Sequence, residues 1–505
     1  MDILFNLFAG FQVALTPINL FFCFGGVFIG TLIGVLPGIG PPGALAMLLP
    51  ITIGVPPTSA IIMLAGIYYG AQYGGSTTSI LINIPGEASS IVTCIDGYQM
   101  ARQGRAGPAL GISAIGSFVA GTVGLLFLCI LANPMTKIAL RFGPAEFFGL
   151  MVMGLIFVTF LGGGSMIKSL VSMSMGLILT MVGMDIITGE IRFGFGSMQL
   201  ANGIGLIPIA MGLFGLGEVF LNLEIKIDRQ IFEEKIRGIL PDKKDLKQSC
   251  GPILRGSILG FLLGVIPGGG ALLASFFSYA TEKKLSRHPE LFGKGAIEGV
   301  AGPESANNAG STGAFVPLFT LGLPSNSTMA MLLGAFILYG MVPGPLLMVE
   351  KPQVIWGTIA SMYIGNIMLL VLNLPLIGLW IQILKVPYRV LYPIIIFFMI
   401  IGSYSLRKDF FDVLLLIIFG IVGYLMKKFQ YAAAPMILAF VLGDQLENAF
   451  RQSLIISGGQ FSIFVIRPMS ASFLLISLLL LLAPLAPWLH GKKVILSRIS
   501  RDGET

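Results

Sequence analysis

The sequence predicts an all-α membrane protein, a polytopic helical bundle of about 12 spans with two inverted repeats containing broken helices or re-entrant hairpins. Three observations predict it. Of the 505 residues, 55% are hydrophobic and only 11% charged, whereas soluble domains carry about 25% charged residues. Charge-free apolar runs recur along the chain, among them Met469–Trp488 and Ala109–Ala132, long enough for the ~20 residues that a bilayer core requires. Two glycine- and proline-rich motifs in the first half return in the second.

The first repeat is read as residues 1–221. No Lys or Arg occurs before Arg102, so the first apolar run lacks a basic leader and reads as a retained span. A charged segment follows at 222–250, rich in Glu233, Glu234, Lys235, Arg237, Asp242, Lys243 and Lys244, and reads as a cytoplasmic linker. The second repeat is read as 251–470, and the final span with its basic cytoplasmic tail as 471–505. Gly30-Thr-Leu-Ile-Gly34-Val-Leu-Pro37-Gly38-Ile-Gly40 recurs as Gly260-Phe-Leu-Leu-Gly264-Val-Ile-Pro267-Gly268-Gly-Gly270. Gly75-Ser76-Thr77 leading to Ile84-Pro85 has its counterpart in Gly310-Ser311-Thr312 leading to Leu323-Pro324. The loop after the first motif is free of Lys and Arg at Pro50–Thr58, while its counterpart at Thr281–Lys294 holds Lys283, Lys284, Arg287 and Lys294. Basic loops stay inside, so the equivalent loops fall on opposite faces and the repeat is expected to be inverted. The same rule puts the Arg102/Arg105 loop, the linker and the Lys492/Lys493/Arg498 tail in the cytoplasm.

Several functions are excluded. The net charge of +7 sits in short loops rather than in a basic stripe with interleaved aromatics, so no nucleic acid is expected as a partner. Cys23, Cys94, Cys129 and Cys250 are scattered and form neither a disulfide framework nor a metal set. The two histidines, His288 and His490, belong to no HExxH, and no GxxxxGK[ST] is present. The chain is not expected to be an enzyme, to carry a cofactor or to hydrolyse ATP, which leaves an ion gradient as the energy source.

Gly38-Ile-Gly40-Pro-Pro-Gly43 matches a dinucleotide fingerprint in letters only, because an apolar span rather than a strand precedes it. Pro removes an amide donor and Gly frees the backbone, so the motif reads either as a helix interrupted in mid-membrane or as a simple packing kink. Its return at Gly268 and Gly270 favours the interruption. Hydroxyls and amides cluster beside these breaks: Gly75, Ser76, Thr77 and Asn83 in the first half, and Asn307, Asn308, Ser311, Ser325, Asn326 and Ser327 in the second. Such groups are costly in hydrocarbon unless they face one another, water or a solute. With Gly38, Gly40, Gly268 and Gly270 they are the expected substrate-binding set. No charged side chain occurs from Gly30 to Gly86. An anion would therefore be held by amides at half-helix N-termini, by hydroxyls and by a co-bound Na⁺ or H⁺, for which Thr78, Pro85, Glu304, Pro324 and Thr328 are the expected cation site. Glu87, Asp96, Asp185 and Glu304 are the nearest acids, each either a proton or cation site or an interfacial loop residue.

These residues carry a resemblance. Pro37-Gly-Ile-Gly-Pro41, Tyr69-Gly-Ala-Gln-Tyr-Gly-Gly-Ser76, Ile84-Pro-Gly-Glu87, Asp96-Gly-Tyr98, Met211-Gly-Leu-Phe-Gly-Leu-Gly-Glu218, Phe292-Gly-Lys-Gly-Ala-Ile-Glu-Gly-Val300, Pro303-Glu-Ser-Ala-Asn-Asn308 and Ser457-Gly-Gly-Gln-Phe-Ser-Ile-Phe464 resemble the large membrane subunit (TctA) of the tripartite tricarboxylate transporters nearly end to end. The resemblance implies a multi-pass permease of the bacterial inner membrane. Its implied partners are a small four-span membrane subunit and a periplasmic solute-binding protein, and its implied solutes are di- and tricarboxylates such as citrate, moved by an ion gradient. Where that family usually reads Leu-Gly-Ile-Pro-Gly, this chain has Leu321-Gly-Leu-Pro324-Ser325, so the solute itself does not carry over. A passive channel or facilitator for organic anions is the alternative function, and an elevator motion is expected only by analogy of fold.

Overall fold

The computed structural model describes residues 2–36, 40–161, 165–185, 187–224, 238–384, 386 and 388–483. In chain order its first half comprises α1 (Asp2–Ala14), α2 (Pro17–Val35), α3 (Gly40–Leu48), α4 (Pro57–Ile82), α5 (Ile91–Met100), α6 (Ala106–Ala139), α7 (Pro144–Leu161), α8 (Met166–Thr180), a small antiparallel pair β1 (Gly183–Met184) and β2 (Ile191–Arg192), and α9 (Leu206–Glu224). The second half continues with α10 (Lys243–Val265), α11 (Gly270–Leu285), α12 (Glu298–Gly313), α13 (Phe315–Leu321), α14 (Ser327–Leu338), α15 (Pro352–Asn373), α16 (Tyr388–Arg407), α17 (Phe410–Lys428), α18 (Ala433–Ile456) and α19 (Pro468–Leu482).

Among the described residues seven helices are long and apolar enough to cross a bilayer, fewer than apolar runs suggest. The reason is physical. Helices α4, α10 and α18 have 26, 23 and 24 residues, but Gly, Ser, Thr or charged side chains dilute their hydropathy. The linker also shrinks: Lys243–Ser249 form the first turns of α10, whose N-cap Asp242 accepts from the Asp245 amide at 2.7 Å. Residues 225–237 of that linker and the basic tail at 492–498 lie outside the described residues.

Polarity is distributed inside out. Every residue of α4 from Ser59 to Ile82 is buried, as is every residue of α12 from Gly299 to Gly313, whereas Val390, Ile394, Phe397 and Phe398 of α16 are exposed. The most polar long helices are thus wrapped by apolar ones, as expected where hydrocarbon surrounds the bundle and backbone groups must be paired internally.

Two seams of backbone contact hold the centre together. On α2, a Cβ added at Gly26, Gly30 or Gly34 would strike the main chain of Met63, Ile67 or Ala71 of α4. On α10, a Cβ at Gly256, Gly260 or Gly264 would strike the main chain of Gly302, Ala306 or Gly310 of α12. Small residues allow this approach, and dispersion and packing drive association where the lipid offers no hydrophobic gain. The two seams set a register: Ala71 corresponds to Gly310. The sequence match of Gly75-Ser76-Thr77 with Gly310-Ser311-Thr312 is therefore one helical turn out. The corrected offset also pairs Asn83 with Gly322, Pro85 with Pro324 and Glu87 with Asn326.

The halves clasp each other reciprocally. Tyr339, just past α14, donates to the Thr52 carbonyl beyond α3 at 2.5 Å. On the other side Asp96 of α5 accepts from the amides of Gly293, Gly295 and Ala296 beyond α11, at 2.8, 2.8 and 2.9 Å, and from Tyr279 Oη at 2.8 Å. Asp96 is 0% exposed, so the carboxylate is a structural clasp rather than a free loop acid. Asp185 stands in the β1–β2 hairpin, outside the spans. The Ile187 amide, foremost, and Arg451 hold its carboxyl down at about 2, and the hairpin is braced by Arg192 and Glu447.

Two outcomes are expected from detergent-solubilised protein. Gly264→Leu, which drives a side chain into the Gly310 backbone, should cost at least the roughly 1–3 kcal/mol of core overpacking and lower the melting temperature, while Gly25→Ala, with open space around it, should not. Asp96→Ala should destabilise by about 1–3 kcal/mol for each amide left buried without a partner, and Asp96→Asn, which keeps an acceptor oxygen, by less. Equal melting temperatures for Gly264→Leu and Gly25→Ala, or for Asp96→Ala and the parent, would refute the respective packing.

Candidate substrate and ion site

Each half turns back through a tip of the same construction. Helix α4 ends at Asn83, a left-handed C-cap with φ 55°; α13 ends at Gly322, with φ 72°. Such a cap stops a helix without leaving its last carbonyls unpaired, and a proline two residues on prevents resumption. The chain then reaches an N-cap in extended conformation. In the first half this is Glu87, whose side chain accepts from the Ser89 amide at 2.9 Å in a capping box with Ser90. In the second it is Asn326, which accepts from the Met329 amide at 2.9 Å. Asn83 is exposed and serves as a cap, not as part of the polar cluster.

Between the tips, α4, α5 and α12 bring the polar side chains together. Glu304 of α12 is 0% exposed and accepts from the hydroxyls of Ser76 on α4 and Thr93 on α5. Asn307, one turn along, donates to Glu87 Oε1 at 3.0 Å and accepts from Ser89 Oγ at 2.6 Å. The Gln72 amide, oriented so that its nitrogen faces these acceptors, reaches Glu87 Oε1 at 3.0 Å and Asn307 Oδ1 at 2.8 Å. Asn308 donates to Ser117 Oγ at 2.7 Å and to the Glu304 carbonyl at 3.0 Å. Asn326 donates to Tyr68 Oη at 3.4 Å, tying the second tip to α4.

Not every expected residue joins this network. Thr78 and Ser311 bond back to the carbonyls of Gly75 and Asn307 at 2.8 and 3.0 Å, the ordinary local pairing of a helix hydroxyl. Gly75 takes the close approach of Glu87 and Gly86. Gly38 lies outside the described residues. The Gly268 amide is already bonded to the Ser325 carbonyl at 2.8 Å, and its Cα packs on Val158, so that amide is not free for an anion. Gly270, with φ 49°, and Gly40, with φ 63°, have room around them. Pro324 and Thr328 are buried while Pro85 and Ser327 are half-buried; Thr77 is buried in α4. Ser325 is 0% exposed and its hydroxyl has no hydrogen-bond partner among the described residues, a costly state for a buried polar atom. Sequence reasoning singles out Glu87 as a nearby acid but not its partners Gln72 and Ser89, nor Thr93 as a partner of Glu304; the Glu-Ala-Ser-Ser run after a Pro-Gly break is the one signal, that of an N-cap.

Cavities of about 560 and 710 Å³ open beside the β1–β2 hairpin at Arg192, Arg407 and Asp412, and around Gly340–Leu347 and Gln452, the latter reaching Leu321 and Leu323 at the second tip. Neither is lined by a residue of the two tips' caps or of the Glu87–Glu304 network.

Comparison with known proteins agrees with this architecture. Residues 20–438 match the family model described as the tripartite tricarboxylate transporter TctA family. A protein of Agrobacterium vitis, described as an uncharacterized 52.8 kDa protein in the TAR-I ttuC' 3'region, is 52% identical over 493 residues, 98% of both chains. A second from the same organism, described as an uncharacterized protein in the TAR-II ttuC' 3'region, is 51% identical over 234 residues, 46% of this chain and 97% of that protein. No solved structure matches. The chain thus belongs to the tripartite tricarboxylate transporter TctA family, as a multi-pass membrane component of a transporter and not an enzyme.

Proposed function

We propose that this chain is the permease of a secondary transporter that imports small di- or tricarboxylates across the bacterial inner membrane, driven by a Na⁺ or H⁺ gradient. A periplasmic solute-binding protein supplies the solute and a small four-span membrane subunit completes the complex. The observation that carries the reading is the pair of matched tips, Asn83–Glu87 and Gly322–Asn326, each ending in a capped helix start beside a buried cluster of hydroxyls, amides and two carboxylates. At the second tip the buried, unbonded Ser325 hydroxyl is a group that a solute could satisfy.

The two halves are inverted repeats in this proposal. The reciprocal clasps are consistent with it: the loop beyond α3 meets the end of α14, and the loop beyond α11 meets α5, as a two-fold relation between the halves requires. The substrate would lie at Ser325, Asn326 and Tyr68, with its charge met by the positive end of α14. The second tip, with its unbonded hydroxyl, is favoured over the first, where Glu87 already occupies the helix start.

Uptake into proteoliposomes tests this reading. Accumulation of a carboxylate above equilibrium under an imposed Na⁺ or H⁺ gradient is expected, and flux that only runs downhill would point instead to a passive channel. Asn326→Ala and Ser76→Ala should each reduce uptake severalfold with membrane abundance unchanged, the first also weakening the α14 cap by about 0.5–2 kcal/mol. Undiminished uptake in both variants would remove the assigned site.

A further inference from the structure

The two buried carboxylates of the central cluster differ in the kind of donor that serves them. Glu87 is met by the Ser89 amide at 2.9 Å, the Asn307 amide nitrogen at 3.0 Å and the Gln72 amide nitrogen at 3.0 Å, besides the Ser89 hydroxyl. A main-chain or carboxamide N–H can only donate, so three of the four members of this shell favour the carboxylate anion, and the Ser89 hydroxyl, whose one hydrogen serves either Glu87 or Asn307, is the one member able to accept an acid proton. Glu304 is met by hydroxyls alone, from Ser76 and Thr93. A hydroxyl can turn and accept. Ser76 has somewhere to send its own hydrogen when it does so, because its Oγ also lies 3.3 Å from the Gln72 carbonyl.

From this asymmetry we propose that Glu304 is the residue that binds and releases a coupling proton while Glu87 stays ionised, which makes the driving ion H⁺ rather than Na⁺. With Glu304 ionised, Ser76 donates to it. With Glu304 protonated, the acid O–H donates to Ser76 Oγ and the Ser76 hydrogen turns to the Gln72 carbonyl, so both states are fully bonded. Sodium fits poorly, because a hard cation needs several oxygens with lone pairs directed at it. Here the hydroxyl oxygens rest directly on the Glu304 carboxylate.

The surroundings leave the change of charge to this pair. Glu87, Tyr73 and Cys94 act on Glu304 directly; the elements packed on α12 also carry Tyr68 and Tyr69 of α4, Asp96 and Tyr98 of α5, Tyr279 and Glu282 of α11 and Arg255 of α10, and α6 offers no ionisable side chain between Arg105 and Cys129. Most of the charged groups have partners elsewhere. Asp96 holds the loop amides, Arg255 and Glu282 pair at 2.9 and 2.5 Å, and Tyr73 donates to Asn366 at 2.5 Å. Among the described residues no Lys, Arg or His forms an ion pair with Glu87 or Glu304. Protonating Glu304 removes one of two neighbouring negative charges, and an anionic solute is then admitted next to an ionised Glu87 at a lower electrostatic cost. That linkage is the coupling.

The inference rests on the carboxylate-transport reading, and one experiment separates the two. The full transporter is reconstituted in proteoliposomes with radiolabelled citrate and, in parallel, succinate. In Na⁺-free buffer an inwardly directed one-unit pH gradient should drive about tenfold accumulation per coupled proton. Glu304→Gln, a fixed mimic of the protonated acid, should bring accumulation down to the equilibrium ratio while solute counterflow continues and loses its pH dependence. Glu304→Asp, which restores an ionisable group, should keep pH-driven accumulation with a displaced pH profile. Retained pH-driven accumulation in Glu304→Gln, an unaltered pH profile in Glu304→Asp, or accumulation by a Na⁺ gradient at equal pH would each overturn the proton assignment and leave carboxylate transport standing. A parent protein that moves none of a panel of small di- and tricarboxylates, these two included, in either mode would overturn the transport reading itself.

Discussion

The close approach of helix backbones along the two glycine seams is the constraint on which the rest depends. In a lipid-surrounded bundle no hydrophobic gain holds the innermost helices together, so contact must come from packing at short range. Gly26, Gly30 and Gly34 against α4, and Gly256, Gly260 and Gly264 against α12, bring main chain onto main chain. That approach lets α4 and α12, rich in Ser, Thr, Asn and Gln, lie wholly inside, where each polar group finds its partner on a neighbouring helix.

From the seams the site follows. They fix the height of α4 and of α12 with its continuation α13, and hence where Asn83 and Gly322 reverse the chain and where Glu87 and Asn326 begin it again. The prolines at 85 and 324 keep the tips open as turns. Because the tips are held by caps rather than by side-chain packing alone, a single unbonded hydroxyl such as that of Ser325 can persist beside a helix start. The clasps at Asp96 and Tyr339 join each tip's neighbourhood to the opposite half.

The two buried acids show how local chemistry divides roles. Both are enclosed and neither has a basic partner, yet one sits among amides and the other among hydroxyls. Amide donors fix a charge; hydroxyls tolerate its loss. Nothing in residue type distinguishes Glu87 from Glu304, so the difference lies entirely in what surrounds them.

The sequence by itself determined the class of protein, because too few charged residues remain to cover a water-facing surface. It also marked the breaks, since Pro and Gly act on their own backbone wherever they stand, and it brought out Ser76, Asn307 and Glu304, polar residues in apolar runs that need partners. The tertiary structure alone decided the register between the halves, one turn away from the apparent Gly-Ser-Thr match, because side-chain identity says nothing about which backbone a glycine faces. It alone showed that the Gly268 amide is already bonded and that Asp96 is a clasp. Gln72, Ser89 and Thr93 could not be read from the sequence as partners of buried acids, because a hydrogen bond between residues more than two hundred positions apart, such as Thr93 to Glu304, is a property of how helices cross and not of either residue.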